Sequence, residues 1–220
     1  MRVLVGPDVP LPELYAVPDQ PWLRVNMVAT VDGAATGPGG TSRSINNAVD
    51  KVVFDLLRSQ ADVIVVGAGT LREEGYAPNP LPIVAVTRTA SVPPTLRGCE
   101  RGKVLLATVS AADGLAEARA LLGEENVLVL GSHRVDLAAL REQLVARGFR
   151  RILSEGGPHL LRDLLDQGCA DEVCVTSVPL VIGGTHPRIC DGPPVAVPLT
   201  LHTLVEQDGT LMARWLVDRG

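Results

Sequence analysis

Residues 151–161, Arg-Ile-Leu-Ser-Glu-Gly-Gly-Pro-His-Leu-Leu, constrain this chain more than any other stretch. A short apolar run, two glycines, and then Leu160, Leu161, Leu164 and Leu165 at helical spacing read as strand, tight turn and amphipathic helix. Pro158 falls at a first helical position, where its missing N–H has no intrahelical partner to lose. Gly168 stops that helix, and an apolar run from Val173 opens the next strand. Such a unit points free backbone N–H groups and the positive end of a helix dipole at one place, where glycines let an anion approach the main chain. Glu155 stands at the strand end beside this cradle. Taken alone, a Gly-Gly pair is more often an ordinary turn, so the rest of the chain must decide.

The same alternation recurs along the sequence. Apolar runs predict strands over residues 23–31, 61–66, 83–86, 103–108, 127–130 and 173–178. Helices are predicted between them. One is capped by Asn46 or Asn47 and carries Val49, Val52, Val53, Leu56 and Leu57; another covers 113–122; a third opens at Asp136 and ends at Gly148. Strands separated by helices imply a parallel sheet with crossovers. The tail differs in kind, because residues 201–206 and 211–217 alternate around Asp208-Gly209, a hairpin signal. The expected architecture is α/β: a single domain over 1–220, with a mostly parallel mixed sheet, helices on both faces and an antiparallel hairpin at one edge. Residues 1–21 hold five prolines and are expected to form an irregular surface segment.

Composition narrows the function classes. A net charge of −5 argues against nucleic acid or an anionic membrane surface as the main partner. The four cysteines form no Cys-x-x-Cys pair and no metal-ligand spacing with histidine, so free thiols and no metal site are expected. No signal peptide and no membrane-length apolar run are visible, which implies a soluble cytoplasmic protein.

In such a sheet, ligands bind outside the carboxyl ends of the strands. Those ends carry Asp32-Gly33, Gly67-Ala68-Gly69-Thr70, Thr87-Arg88 and Glu155-Gly156-Gly157. Gly67, Gly69 and Thr70 make half a dinucleotide fingerprint, with Arg72 standing where the third glycine would be. A site for NAD would carry an acid at the end of the next strand; Thr87 and Arg88 stand there instead and suit a 2′-phosphate, favouring NADP. There is no Gly-x-Ser-x-Gly elbow, no Walker lysine and no zinc-deaminase signature. Hydride transfer needs none of these, only a cofactor held against a substrate in a dry pocket.

Together, residues 26–33, 42–45, 57–58, 67–70 and 154–157, followed by Asp171-Glu172 and residues 179–184, resemble the reductase domain of riboflavin biosynthesis. That domain is the C-terminal half of bifunctional RibD, with a dihydrofolate-reductase-like fold. The resemblance spans roughly residues 22–217 and does not include the zinc deaminase half. It implies NADPH-dependent reduction of 5-amino-6-(5-phosphoribosylamino)uracil at its ribosyl chain. By position, Ala29, Ser44, Thr70, Thr87 and the Gly156-Gly157-Pro158 turn would face the cofactor, with Glu74 as an acidic contact. Asn26, Ser42, Arg58 and Glu155 would face the substrate, Arg58 holding its phosphate, and Glu155 and Asp32 would be the catalytic carboxylates. Leu81 stands near where the family carries a second phosphate-binding arginine. Two alternatives stay open: a reductase of dihydropterin or dihydrofolate type, with Arg58 on a carboxylate, and a non-catalytic nucleotide-binding relative. By analogy with the family, a homodimer is expected through the apolar stretch 173–182, read as lying near a sheet edge, or through the hairpin.

Overall fold

The computed structural model describes residues 1–218. Ten strands form one sheet. In chain order the elements are β1 (Arg2–Val5), α1 (Leu11–Leu14), β2 (Trp22–Thr30), α2 (Ala48–Ser59), β3 (Val63–Gly67), α3 (Ala68–Glu73), β4 (Ile83–Val86) and β5 (Val104–Thr108). They continue with α4 (Leu115–Leu122), β6 (Val127–Val129), α5 (Leu137–Ala146), β7 (Arg151–Ser154), α6 (Pro158–Asp166), β8 (Glu172–Val178), β9 (Leu199–Gln207) and β10 (Thr210–Val217). The strand order is β1-β9-β10-β8-β2-β7-β3-β4-β5-β6. From β8 to β6 every pairing is parallel; β10 turns antiparallel to β8, and β9 and β1 continue antiparallel outward.

Alternation along the strands sorts side chains into two cores. Ile152 and Val173 belong to the larger one, with leucines of α3, α4, α5 and α6, while their neighbours Leu153 and Cys174 pack with Val49, Val53 and Leu57 of α2. Successive strand residues point to opposite faces, so helices cover the sheet on both sides and the molecule is a three-layer sandwich. Local chemistry sets the helix starts. The Asn47 side chain accepts from the N–H groups of Val49 and Asp50 at 3.0 and 2.9 Å, and Asp136 caps α5 through the N–H of Ala139 at 2.8 Å. Asp208 and Gly209 both take positive φ, +52° and +76°, the twist a two-residue hairpin turn requires. Among the described residues, no helix is long and apolar enough to cross a membrane.

Two expectations need correction. Residues 1–21 are not an irregular surface segment: β1 pairs with β9, and Leu14 and Tyr15 are buried against α2. What holds them down is ionic. Glu172 is fully buried between Arg24 and Arg214, with Nε–Oε1 distances of 2.8 and 2.7 Å. These two guanidiniums then donate to the backbone carbonyls of Tyr15, Leu14 and Ala16. The second correction is that β8 is not near an edge, since β10 and β2 flank it, and β1 rather than the hairpin closes the sheet. Only the segment after β8 is exposed, including Leu180 and Val181.

Candidate active site

The parallel strands all point their carboxyl ends one way, and a cleft of about 1170 Å³ opens there. Its floor comes from Asn26, Met27 and Val28 of β2, the turn from Gly67 to Thr70, and Glu155 with Gly157 and Pro158. One wall is α2, through Asp50, Phe54 and Arg58; the other sides are the glycine loop after β2 and the segment following α3.

Glycine is required at the centre of this floor by close packing. A Cβ on Gly156, whose φ is +78°, would stand 2.7 Å from the Met27 sulfur, and one on Gly157 would collide with the Thr70 hydroxyl. The Gly156–Gly157 peptide is cis. The turn is tied to its neighbour strand, because Gly67 donates its N–H to the Gly156 carbonyl at 2.9 Å and Glu155 donates to that of Val65 at 3.1 Å. The two glycine-bearing strand ends therefore lie side by side.

Glu155 is the best-anchored polar group in the cleft. Its side chain is 2% exposed, and Arg58 grips it with two bonds, Nε to Oε1 at 2.6 Å and Nη2 to Oε2 at 2.7 Å. The Tyr76 hydroxyl donates to Oε2 at 2.7 Å. Burial pushes the Tyr76 phenol well above its ordinary value, and the adjacent carboxylate adds to this, so the tyrosine stays a donor. Burial alone would lower the Arg58 value, but the Glu155 carboxylate outweighs it and keeps the guanidinium charged. The Arg58 guanidinium also lies over the Phe54 ring, 4.2 Å from its centroid. Residues 97 positions apart thus form one unit, with the guanidinium still a quarter exposed toward the cleft.

The other expected residues divide. Asn26, Ser42, Arg58, Gly67, Gly69, Thr70, Glu74, Thr87, Arg88, Glu155, Gly157 and Pro158 all line the cleft. Glu74 accepts from the Ser42 N–H at 2.6 Å, fastening the glycine loop to the end of α3, while Thr87 is buried and Arg88 exposed at the mouth. Ala29, Ser44, Gly156 and Asp32 are not among the lining residues. Ala29 is buried within β2, Ser44 bonds within its own loop, and Gly156 sits beneath the turn against Met27. Asp32, expected as a catalytic carboxylate, instead accepts from the Thr30 hydroxyl and the Gly183 N–H, and these bonds hold its carboxyl below the usual range. It clamps the strand end to the segment after β8. Phe54 and Tyr76 escaped sequence reasoning; their signal was rarity, as the chain has only two of each type and aromatics make up 3% of it.

The arrangement offers a glycine-lined floor for a phosphorylated ligand, a hydroxyl and a guanidinium at the mouth, and a fixed carboxylate–guanidinium–phenol unit at the base. The chain is similar to known proteins. A 2,5-diamino-6-ribosylamino-4(3H)-pyrimidinone 5′-phosphate reductase from Archaeoglobus fulgidus is 33% identical over 192 residues, covering 79% of this chain and 87% of the relative. Among solved structures, a pyrimidine reductase-like protein from Corynebacterium diphtheriae superposes with a TM-score of 0.78 at 22% identity, covering 94% of this chain and 98% of that one. A dihydrofolate reductase from Enterococcus faecalis shares the fold more distantly, at a TM-score of 0.50 and 13% identity, over 91% and 98% of the two chains. The RibD C-terminal domain family matches residues 21–211, and the chain belongs to that family.

Proposed function

We propose that this protein uses NADPH to reduce the ribosylamino side chain of a phosphorylated aminopyrimidine to a ribitylamino chain. The observation that carries the reading is the placing of the glycine turns and the Arg58–Glu155–Tyr76 unit in one cleft. The reductase name of a relative one-third identical over most of the chain supports it.

The residues present fit a dinucleotide. The open backbone at Gly69, with Gly67 and Gly157 beside it on the cleft floor, would admit its phosphates, and Thr87 with Arg88 would hold a 2′-phosphate. When bound, such a cofactor supplies a hydride. The chain's own residues then bind and orient. Arg58, gripped by Glu155, turns its remaining edge to an anionic group of the substrate, and the Glu155 carboxylate is held rigid by three short bonds. Ser42, on a loop fastened by Glu74, contacts substrate from above and helps to exclude water.

The test is oxidation of the reduced nicotinamide in the presence of phosphoribosylaminopyrimidine substrates, with dihydrofolate as a control. Turnover should occur with NADPH in clear preference to NADH, and Arg88→Ala should narrow that preference by about tenfold, one charge-assisted contact. Equal kcat/KM for the two cofactors in the unmodified protein would remove the NADPH assignment, and turnover of dihydrofolate alone would remove the substrate class.

A further inference from the structure

The glycine loop over the cleft is bonded almost wholly to itself. Gly37 donates its N–H to the Ser44 hydroxyl at 3.0 Å, that hydroxyl donates to the Thr41 carbonyl at 2.6 Å, and Gly40 donates to the Gly37 carbonyl at 2.9 Å. Ile45 and Asn46 both donate to the Ser42 carbonyl at 3.0 Å. Among the described residues, every hydrogen bond that leaves residues 36–46 for a more distant part of the chain ends on Glu74. Its carboxylate accepts from the Ser42 N–H at 2.6 Å and its carbonyl from the Arg43 guanidinium at 2.7 Å, and the side chain is only 12% exposed. The loop is a compact flap with one hydrogen-bonded fastening. Two residues on, Tyr76 donates to Glu155, which grips Arg58. The end of α3 fixes these two side chains relative to each other. Gly75 takes a φ of +62°, its N–H bonds to the Arg72 carbonyl at 3.3 Å, and that of Tyr76 returns to the Leu71 carbonyl at 3.0 Å. This pair of bonds closes a helix on a left-handed residue. One three-residue segment therefore holds both the flap that carries Ser42 and the pair that carries Arg58.

We propose that Glu74 and Tyr76 are positioning residues for the substrate, Glu74 acting through Ser42 and Tyr76 through Glu155 and Arg58, and that Glu74 makes no contact with the cofactor. This rests on the reductase reading above. An acid that serves a dinucleotide does so by accepting from a ribose hydroxyl. Glu74 instead directs its carboxylate to a backbone N–H of the flap, a charge-assisted bond. Without that bond the flap keeps its shape, because its other bonds are internal, but it loses its place over the cleft. Without the Tyr76 hydroxyl, Glu155 is held by Arg58 alone, and the two side chains are free to shift as a pair. Both losses fall on substrate contacts and leave the glycine turns of the cleft floor untouched.

The experiment sets E74A, E74Q and Y76F beside the wild type. Its readouts are kinetics and calorimetric affinity for a phosphoribosylaminopyrimidine, NADPH titration, and the rate of trypsin cleavage after Arg43. Cleavage there requires the flap to open, so its rate follows the open population. E74A should raise KM and speed cleavage, each by about three- to tenfold, the range of one hydrogen bond, with kcat and the NADPH Kd little changed. E74Q should restore both, because an amide oxygen still accepts from the Ser42 N–H. Y76F should raise KM by a similar factor and leave cleavage unchanged. A raised NADPH Kd in E74A that persists in E74Q would make Glu74 a cofactor contact and overturn its role, as would unchanged KM and cleavage in E74A. An unchanged KM in Y76F overturns the role of Tyr76. Turnover of no such pyrimidine overturns the reductase reading, while the cleavage rates still decide Glu74 and the calorimetric affinity still decides Tyr76. Should E74A not fold, Ser42→Pro removes the same bond from the donor's side, since Ser42 opens a short helical turn after an extended Thr41, a place that proline tolerates. That variant should speed cleavage by the same factor, and an unchanged rate would overturn the role of Glu74.

Discussion

Removing either partner of the Arg58–Glu155 pair should cost stability and function together, and a double-mutant cycle can measure how much is shared. The pair is joined by bonds of 2.6 and 2.7 Å, with Glu155 at 2% side-chain exposure and Arg58 at 24%. Two charge-assisted bonds at roughly 1.5–3 kcal/mol each set an upper bound of about 3–6 kcal/mol. Water reaches a quarter of the guanidinium, and Tyr76 keeps one bond to the carboxylate when Arg58 is gone, so a coupling of about 2 kcal/mol is expected. For a chain of 220 residues, each kcal/mol moves the midpoint by about 2–4 °C. Arg58→Ala and Glu155→Gln should each therefore lower Tm by at least about 4 °C. The double variant should be less destabilised than the sum of the two. The same three proteins should show a matching pattern in kcat/KM, with NADPH affinity little changed. Thermal melts, NADPH titration and steady-state kinetics supply the readouts. Additivity within about 0.5 kcal/mol in the melts would refute the claim that the two side chains act as one unit.

Gly157→Ala places a methyl group against the Thr70 hydroxyl and should destabilise the fold by about 1–3 kcal/mol while weakening NADPH binding; an unchanged melt and an unchanged Kd would count against the packing argument. Glu172→Gln removes the anion between two buried arginines and should cost about 3–5 kcal/mol at neutral pH, read by denaturant titration. Burial would raise the Glu172 value, but Arg24 and Arg214 together outweigh it and leave it below the ordinary 4.5. Its stabilisation is therefore complete above that value and lost as pH falls through the lower folded one, so the gap between wild type and variant should close only in acid. Sedimentation at micromolar concentration should show a homodimer, and Val181→Lys in the exposed segment after β8 should shift it toward monomer; a wild-type monomer would end that expectation.

The parts of this fold legible in the sequence are those written in local chemistry. The Gly156-Gly157 turn, the Asn47 and Asp136 caps and the Asp208-Gly209 hairpin each need only a few neighbouring residues, and each stands where it was expected. β1 left no such trace: its four residues are mostly exposed, so burial imposes no pattern on them, and prolines at 7, 10 and 12 mimic a loop. The position of β8 in the sheet was hidden for another reason, since an apolar strand looks the same in the middle as near an edge. In the cleft, strand ends identified Gly67 to Thr70, Thr87, Arg88, Glu155 and Gly157, and the family resemblance added Asn26, Ser42, Arg58, Glu74 and Pro158, but neither said who pairs with whom. Arg58 meets Glu155, and Tyr76 joins them, only because β3 and β7 lie side by side. Asp50 reads as one more polar residue on a helix with a polar face, and only the fold turns it inward. Asp32, at a strand end with a glycine after it, satisfies the pattern of a catalytic acid and is used as a fastener.

The outer strand β1 pairs with β9, and the carbonyls of residues 14–16 are held by arginines from β2 and β10. Synthesis runs from the amino to the carboxyl end, so β1 leaves the ribosome long before the hairpin that receives it exists. Until β9 and β10 arrive, Tyr15 lacks Val205 and Met212, Glu172 lacks Arg214, and the sheet has an open side at β8. Non-local closures of this kind are slow, because the loop entropy is lost before the contacts are gained. The opening residues of the chain should therefore be among the last to become protected from hydrogen exchange during folding.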